Sequence, residues 1–445
     1  MALSERMQHY KVPGVSIAVI NNGEIEWAKG YGVTEAGGTQ PVTPDTVFQA
    51  CSVSKPISVT GIMLLAQSGA IDISRNVNDY LMSWRLADNT FTTTEKATIQ
   101  RLMSHTGGIN VSGFGGYPAG DAIPTLLQVL NGAPPAKSEA IQVVSVPGSQ
   151  YSYSGGGMEV LQQMAEDVTG MPFQTYMKNN FFSGLDMNSS DFVQPMNGPL
   201  SERAAKGHDA DGTALPGGWN TYPESIAAGL WTTPSDLARL LIEVQKAATT
   251  NSGTLLTQQT ATSILAQQPN STMGLGFAIR NGTGGLMFNH SGSNLGYKSF
   301  VAAYRDRGKG VAITTNGESG LALIMEVVRA VAKVYGWPDS FVEEATLVDV
   351  PLSILQSYVG SYTAALEGQA LQAEIDLAGK TLMIKVIIKK TGSRSDMYPT
   401  TTDTFLLKDD PLVPGTLAFS RDGSGNVTGF TIALQAGGTI VATRI

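Results

Sequence analysis

Residues 52–68, SVSKPISVTGIMLLAQS, are apolar on nearly every side when wound as a helix. A helix without a polar stripe has to be enclosed by other elements, so this segment is expected to be buried. Pro56 is tolerable only in a first turn, which puts Ser52 at the helix start. At 445 residues the chain is too long for one ordinary core, and one large domain with a smaller one is expected.

Periodicity supplies the rest of the organisation. Residues 14–33 read as two strands joined by an Asn-Asn-Gly turn. Residues 157–169 have helical spacing and stop at Gly170, while 234–247 begin with Pro, Ser and Asp, which suit a helix N-terminus. Residues 274–315 hold four strand-like runs, GLGFAI, GLMFNHSG, YKSFVAAYRD and GVAITTN, which read as an antiparallel meander. Strands from both ends of the region with helices between them describe an α+β fold, with an antiparallel sheet flanked by helices and a helical subdomain. Residues 1–337 are expected to form this unit and 338–352 a linker. Residues 353–445, with short strand-like runs and Gly-rich turns, are expected to form a small all-β, barrel-like domain.

Lys55 is an odd choice in an apolar helix. Ser and Lys at i and i+3 share a helix face, with Cβ atoms roughly 5–6 Å apart. A serine hydroxyl is a poor nucleophile until a neighbouring base takes its proton. A lysine serves as that base only when neutral, and burial without a counter-ion disfavours its charged form. Lys55 alone among the lysines has a serine three residues before it. The Gly-x-Ser-x-Gly elbow is absent, as is His-Glu-x-x-His, and four histidines leave few options for a Ser-His-Asp set. Two further segments carry chemistry. Tyr153 stands just before a Gly-rich entry into a helix, where a phenol can shuttle protons. His290-Ser291-Gly292 ends a strand, where glycine lets a ligand approach the backbone.

Ser52-Val53-Ser54-Lys55, Tyr153-Ser154-Gly155 and His290-Ser291-Gly292, in this order and spacing, resemble the three active-site motifs of serine β-lactamase-like hydrolases. That superfamily includes penicillin-binding proteins, class C β-lactamases, D-aminopeptidases and family VIII carboxylesterases. The segments VPGVSIAVINNGEIEWAKGYGV, TPDTVFQACSVSK, RLMSHTGGI and AAGLWTTPSDLARLL extend the resemblance over roughly residues 5–335. It implies that Ser52 is acylated, that Lys55 is the general base, and that Tyr153 acts on the leaving group or the deacylating water. It implies a substrate-binding role for His290, Gly292, Ser293 and Gly155, and an oxyanion hole from the backbone N–H groups of Ser52 and Ser293. Gly155 departs from the commoner Tyr-x-Asn, which weakens the case for efficient β-lactam hydrolysis. The C-terminal unit resembles the lipocalin-like domain appended to some members.

The implied activity is hydrolysis of an ester, amide or short peptide through an acyl-enzyme, as a carboxylesterase, a D-amino-acid peptidase or a weak β-lactamase. Two alternatives stay open: a penicillin-recognising protein that acylates without turnover, and an acyltransferase on the same fold. No cofactor and no metal is expected, and RDGSGNVTG (421–429) reads as a hairpin turn rather than a calcium loop. A net charge of −8 and a pI near 5.1 argue against nucleic acid as a partner, while a homo-oligomer is open. No run reaches the ~18 apolar residues of a membrane span. The opening MALSERMQHY lacks the pattern of a secretory leader, so the expectation is a cytoplasmic protein, or a periplasmic or secreted one whose leader has been removed. His105 and Cys51 are expected to be structural. Trp219, Trp231 and Tyr117 are candidates for pocket walls, although aromatic side chains more commonly fill cores.

Overall fold

Asn22 and Gly23 both take left-handed backbone, with φ of 53° and 75°, the pair of positive angles that a two-residue hairpin turn needs. They join β1 (Gly14–Asn21) to β2 (Glu24–Gly32), as residues 14–33 lead one to expect. The meander follows as β3 (Ala278–Gly282), β4 (Gly285–Asn294), β5 (Tyr297–Tyr304) and β6 (Gly310–Thr315). All six form one antiparallel sheet in the order β2-β1-β6-β5-β4-β3. The first run is shorter than the sequence suggests. Residues 274–277 turn before β3, because Gly276 takes φ 80° and a Cβ on Gly274 would collide with the Ile264 carbonyl oxygen. This computed structural model describes residues 2–338, 346–366, 369–388, 391–407, 415–434 and 439–445.

The sheet is covered on both faces, which is why β1 is buried along nearly its whole length. Val15, Ile17 and Val19 point to one side, where α1 (Leu3–His9) and the last helix of this unit pack. Ala18 and Ile20 point to the other and join the main core. That core is built on α2 (Ser54–Gln67), α3 (Gly155–Thr169) and α5 (Pro234–Thr250), with the one-turn helix α4 (Ser225–Ala228) against α2 and α3. The covering helix on the first face is α6 (Gly320–Val334).

Local chemistry sets the helix ends. α3 is capped by Ser154, whose Oγ accepts from Gly157 N–H at 2.9 Å, and it stops at Gly170 with φ 68°. Thr233 caps α5 in the same way and Pro234 fills its first position. α2 is buried from Ser54 through Met63, as its all-round apolar character demands. It starts later than the sequence indicates: Cys51–Val53 form a tight 3₁₀ turn, and Ser52 sits in that turn rather than in the α-helix.

The C-terminal unit is a closed barrel. A short helix, α7 (Leu352–Tyr358), precedes β7 (Gly360–Leu366), β8 (Gln369–Ala378), β9 (Thr381–Ile388), β10 (Thr391–Pro399), β11 (Thr404–Leu407), β12 (Gly415–Arg421), β13 (Val427–Leu434) and β14 (Thr439–Arg444). Neighbouring strands pair in turn and β14 closes on β7. The expected hairpin turn lies between β12 and β13, with Asp422 Oδ1 accepting from the Ser424 and Asn426 N–H groups. Residues 339–345 of the expected linker lie outside the described residues, and α7 begins at its last position. β10 fits none of the strand-like runs, being rich in Gly, Ser, Arg and Asp. Its outer face meets the first unit, where Asp396 lies 3.0 Å from His9 Nε2 and 3.4 Å from Arg6 Nη2.

Among the described residues, apolar and aromatic side chains pack the barrel interior. Tyr358 stacks on Phe419 with ring centroids 4.0 Å apart, and Phe405, Phe430, Ile375 and Ile384 complete the packing. Phe405→Ala should therefore cost about 3–5 kcal/mol in urea unfolding. A loss below about 1 kcal/mol would mean that the interior is loosely filled and open to a guest.

Candidate active site

The chain reaches Ser52 through a short bridge. Phe48–Gln49 pair with Trp231–Thr232, and Ala50 N–H then donates to Leu230 O at 2.8 Å. Cys51 takes φ 54°, a left-handed conformation rare for a residue with a Cβ, and this bend turns Ser52 outward. Cys51 itself is fully buried, and burial pushes its thiol up to about 12, so it packs rather than reacts. Ser52 is half-buried and opens into a cavity of ≈ 410 Å³ that Tyr151, Tyr153, His290, Ser293 and Lys298 also line.

Lys55 is 2% exposed. Its Nζ donates to Ser52 Oγ at 3.2 Å and to the Ala227 carbonyl at 2.7 Å. It also stands 4.9 Å from the centre of the Tyr153 ring. Among the described residues no carboxylate forms an ion pair with it. Tyr153 is held from both sides: its ring centroid is 4.4 Å from that of His105 and 6.3 Å from that of His290. Ser154 N–H donates to His105 Nδ1 at 3.2 Å, which fixes the proton of His105 on Nε2. His105 is thus packed on the tyrosine and tied to the cap of α3, a structural place in keeping with expectation.

The two histidines are neutral for a common reason. Burial first, and then the nearby Lys55 charge, push His290 down to about 3. His105 is held well below its usual range by burial, then by Lys55 and His290. His290 Nδ1–H donates to Ser291 O at 2.6 Å.

Ser52, Lys55, Tyr153, His290, Gly292 and Ser293 come together around one space. Gly292 borders the cavity and is also packed closely against the chain itself. A Cβ there would lie 2.6 Å from Ala50 O, 2.8 Å from Cys51 Cβ and against Ser299 Oγ, so the glycine lets β4 lie on the turn that carries Ser52. Gly155 opens α3 two residues after Tyr153, and a Cβ there would stand 2.9 Å from the Phe114 ring. Phe114 occupies the room that a side chain at position 155 would need. Trp219, Trp231 and Tyr117 are not among the residues lining the cavity; Trp231 packs on Trp219 and Tyr297 in a separate cluster.

Four contributors carry no signal in the sequence. Ala227 acts through its carbonyl, which any residue would supply. Lys298 is buried, 2.9 Å from Glu318 Oε1, and donates to Asn294 O at 3.2 Å while lining the cavity. Gly392 brings the barrel strand β10 to the cavity wall. Glu159 on α3 is wholly buried, accepting from Ala227 N–H at 3.1 Å. Among the described residues no group of three or more His, Cys, Asp or Glu side chains could hold a metal ion, and no helix is long and apolar enough to cross a membrane.

The model of the family described as Beta-lactamase matches residues 2–333. Protein flp of Staphylococcus aureus strain N315 is 26% identical over 232 residues, 52% of this chain and 43% of that protein. The chain thus spans less than half the length of that curated relative. Penicillin-binding protein 4 of Amycolatopsis lactamdurans is 25% identical over 340 residues, 73% of this chain and 86% of that protein. Among solved structures, the octameric penicillin-binding protein homologue from Pyrococcus abyssi superposes with a TM-score of 0.66 at 20% identity, covering 99% of this chain and 98% of its own. SurE with D-Leu gives 0.62 at 20% identity, covering 100% and 97%. Both show the same fold, barrel included.

Glu224 provides a measurable consequence of the dry environment behind the site. Burial pushes its carboxyl from 4.5 up to about 7. Between those values the folded chain holds a proton that the unfolded chain has released, so this contribution to stability is complete below 4.5 and is lost as pH rises through about 7. Glu224→Gln should gain on the native chain by about 1.4 kcal/mol per pH unit across that window. The readout is the difference in urea unfolding free energy. A difference that does not change with pH would contradict a buried, protonated Glu224.

Proposed function

The chain belongs to the beta-lactamase family, and from that premise we propose that it is a serine hydrolase that cleaves an ester or amide through an acyl-enzyme on Ser52. Ser52 Oγ attacks the substrate carbonyl carbon and its proton passes to Lys55. The oxyanion is met by the N–H groups of Ser52 and Ser293. Collapse of the intermediate breaks the bond to the alcohol or amine, which leaves with a proton delivered through Tyr153. Water then splits the acyl-enzyme and restores the Ser52 hydroxyl. His290, Gly292 and Ser293 bind the substrate along β4.

The observation that carries this reading is the contact of the buried Lys55 with Ser52. Its Nζ lies 3.2 Å from Ser52 Oγ with a backbone carbonyl, not a carboxylate, as its other oxygen partner. The same line carries the serine proton to nitrogen once the lysine is neutral. Two features favour small esters and amides over β-lactams. His290 is neutral, so it offers no positive charge to a substrate carboxylate. Phe114 fills the room beside Gly155. SurE was crystallised with D-Leu, and D-amino-acid amides accordingly join short esters as candidate substrates.

Ser52→Ala should abolish turnover of p-nitrophenyl esters while the chain stays folded by circular dichroism. Lys55→Arg should lose about 10²–10⁴ in rate, since arginine stays protonated and cannot take the serine proton. Short esters should turn over faster than nitrocefin. Undiminished activity in Ser52→Ala would reject the assignment, and a single acylation event without turnover in the native chain would favour a penicillin-recognising protein instead.

A further inference from the structure

α4 is only one turn long, and a helix of that length cannot satisfy its own first N–H groups. Two of them are taken by side chains of α3. Ala227 N–H donates to Glu159 Oε1 at 3.1 Å, and Ile226 N–H reaches Gln162 Oε1 at 3.4 Å. Ala227 in turn offers its carbonyl to Lys55 Nζ at 2.7 Å. The chain of contacts therefore runs from Glu159, through the backbone of Ala227, to the ammonium group beside Ser52. α3 also begins two residues after Tyr153, so a single helix carries the tyrosine at its start and holds the lysine's acceptor one turn further on.

The identity of residue 159 needs a reason. Glu159 is wholly buried and its Oε2 has no hydrogen-bond partner, a cost that an apolar side chain of similar size would avoid. Burial, and then the neighbouring Glu224, hold its carboxyl well above the usual range. That direction favours the neutral acid, which accepts from Ala227 without placing a negative charge behind Lys55. A carboxylate there would stabilise the ammonium form.

We propose that Glu159 is a positioning residue: through Ala227 it sets where Lys55 Nζ stands against Ser52 Oγ, and Gln162 supports the same helix. The proposal rests on Ser52 being acylated with Lys55 as its base.

The test compares Glu159→Leu, which removes the acceptor, with Glu159→Gln, which keeps an oxygen at the same place. Pre-steady-state acylation by a p-nitrophenyl ester is measured beside KM for both, with circular dichroism confirming the fold. The leucine variant should acylate about 10–100-fold more slowly with KM within about twofold, because a small misplacement of the base affects the chemical step. The glutamine variant should stay within about threefold of the native rate. Native-like acylation in a folded leucine variant overturns the proposal, as does an equal loss in the glutamine variant. Should the leucine variant fail to fold, Gln162→Leu takes its place: slower acylation at unchanged KM supports the proposal and a native rate overturns it. A native chain that never acylates Ser52 refutes the hydrolase reading instead, so the two failures are distinguishable.

Discussion

A lysine can be kept out of water only where its N–H groups find oxygens, and Lys55 finds two, Ser52 Oγ and the Ala227 carbonyl. Much of the first unit serves that arrangement. α2 is enclosed on nearly all sides, which keeps the lysine dry. α4 exists as one turn whose carbonyl points at it, and α3 supplies the side chains that hold that turn. The left-handed Cys51 turns Ser52 into the same space, and Gly292 lets β4 close down on that bend.

The electrostatics around this group are arranged to leave it without a fixed counter-charge. His105 and His290 stay neutral because burial and Lys55 itself disfavour a second cation. Glu159 and Glu224 are both raised, burial being the larger cause in each. The buried ion pair of Lys298 with Glu318 lies beside Ser293, Lys298 being its register partner on β5. Charge that develops on the substrate carbonyl therefore meets oriented dipoles in a dry pocket, where they act with little reorganisation. The barrel contributes through β10, whose Gly392 borders the cavity and whose Asp396 is tied to α1.

What the sequence revealed is what periodicity and spacing encode. The apolar run at 52–68, the Asn-Gly turn, the stop at Gly170 and the meander were readable because each follows from local chemistry. So was the nearness of Ser52 and Lys55, which is a property of any helical start. β10 was illegible because its inward residues Ser393 and Ser395 are small and polar, so it lacks the alternation that marks a strand. α7, seven residues long, is too short to show a helical period. Glu159 was unreadable for a different reason: its partner is a backbone 68 residues away, and no local pattern records a carboxyl that caps a distant turn. Gly292 was legible as a site of close approach to a ligand, but the second close approach, of the turn that carries Ser52, has no local sequence signal.

The most direct test of the central claim is to trap the covalent state. Rapid quenching of the native chain with a p-nitrophenyl ester, followed by peptide mapping by mass spectrometry, locates the acyl group. The account predicts a burst of p-nitrophenol accompanied by a single acyl adduct on the peptide holding Ser52, with the mass increment on Ser52 itself. An adduct on Ser54 or another side chain, or turnover with no adduct at any quench time, would contradict it.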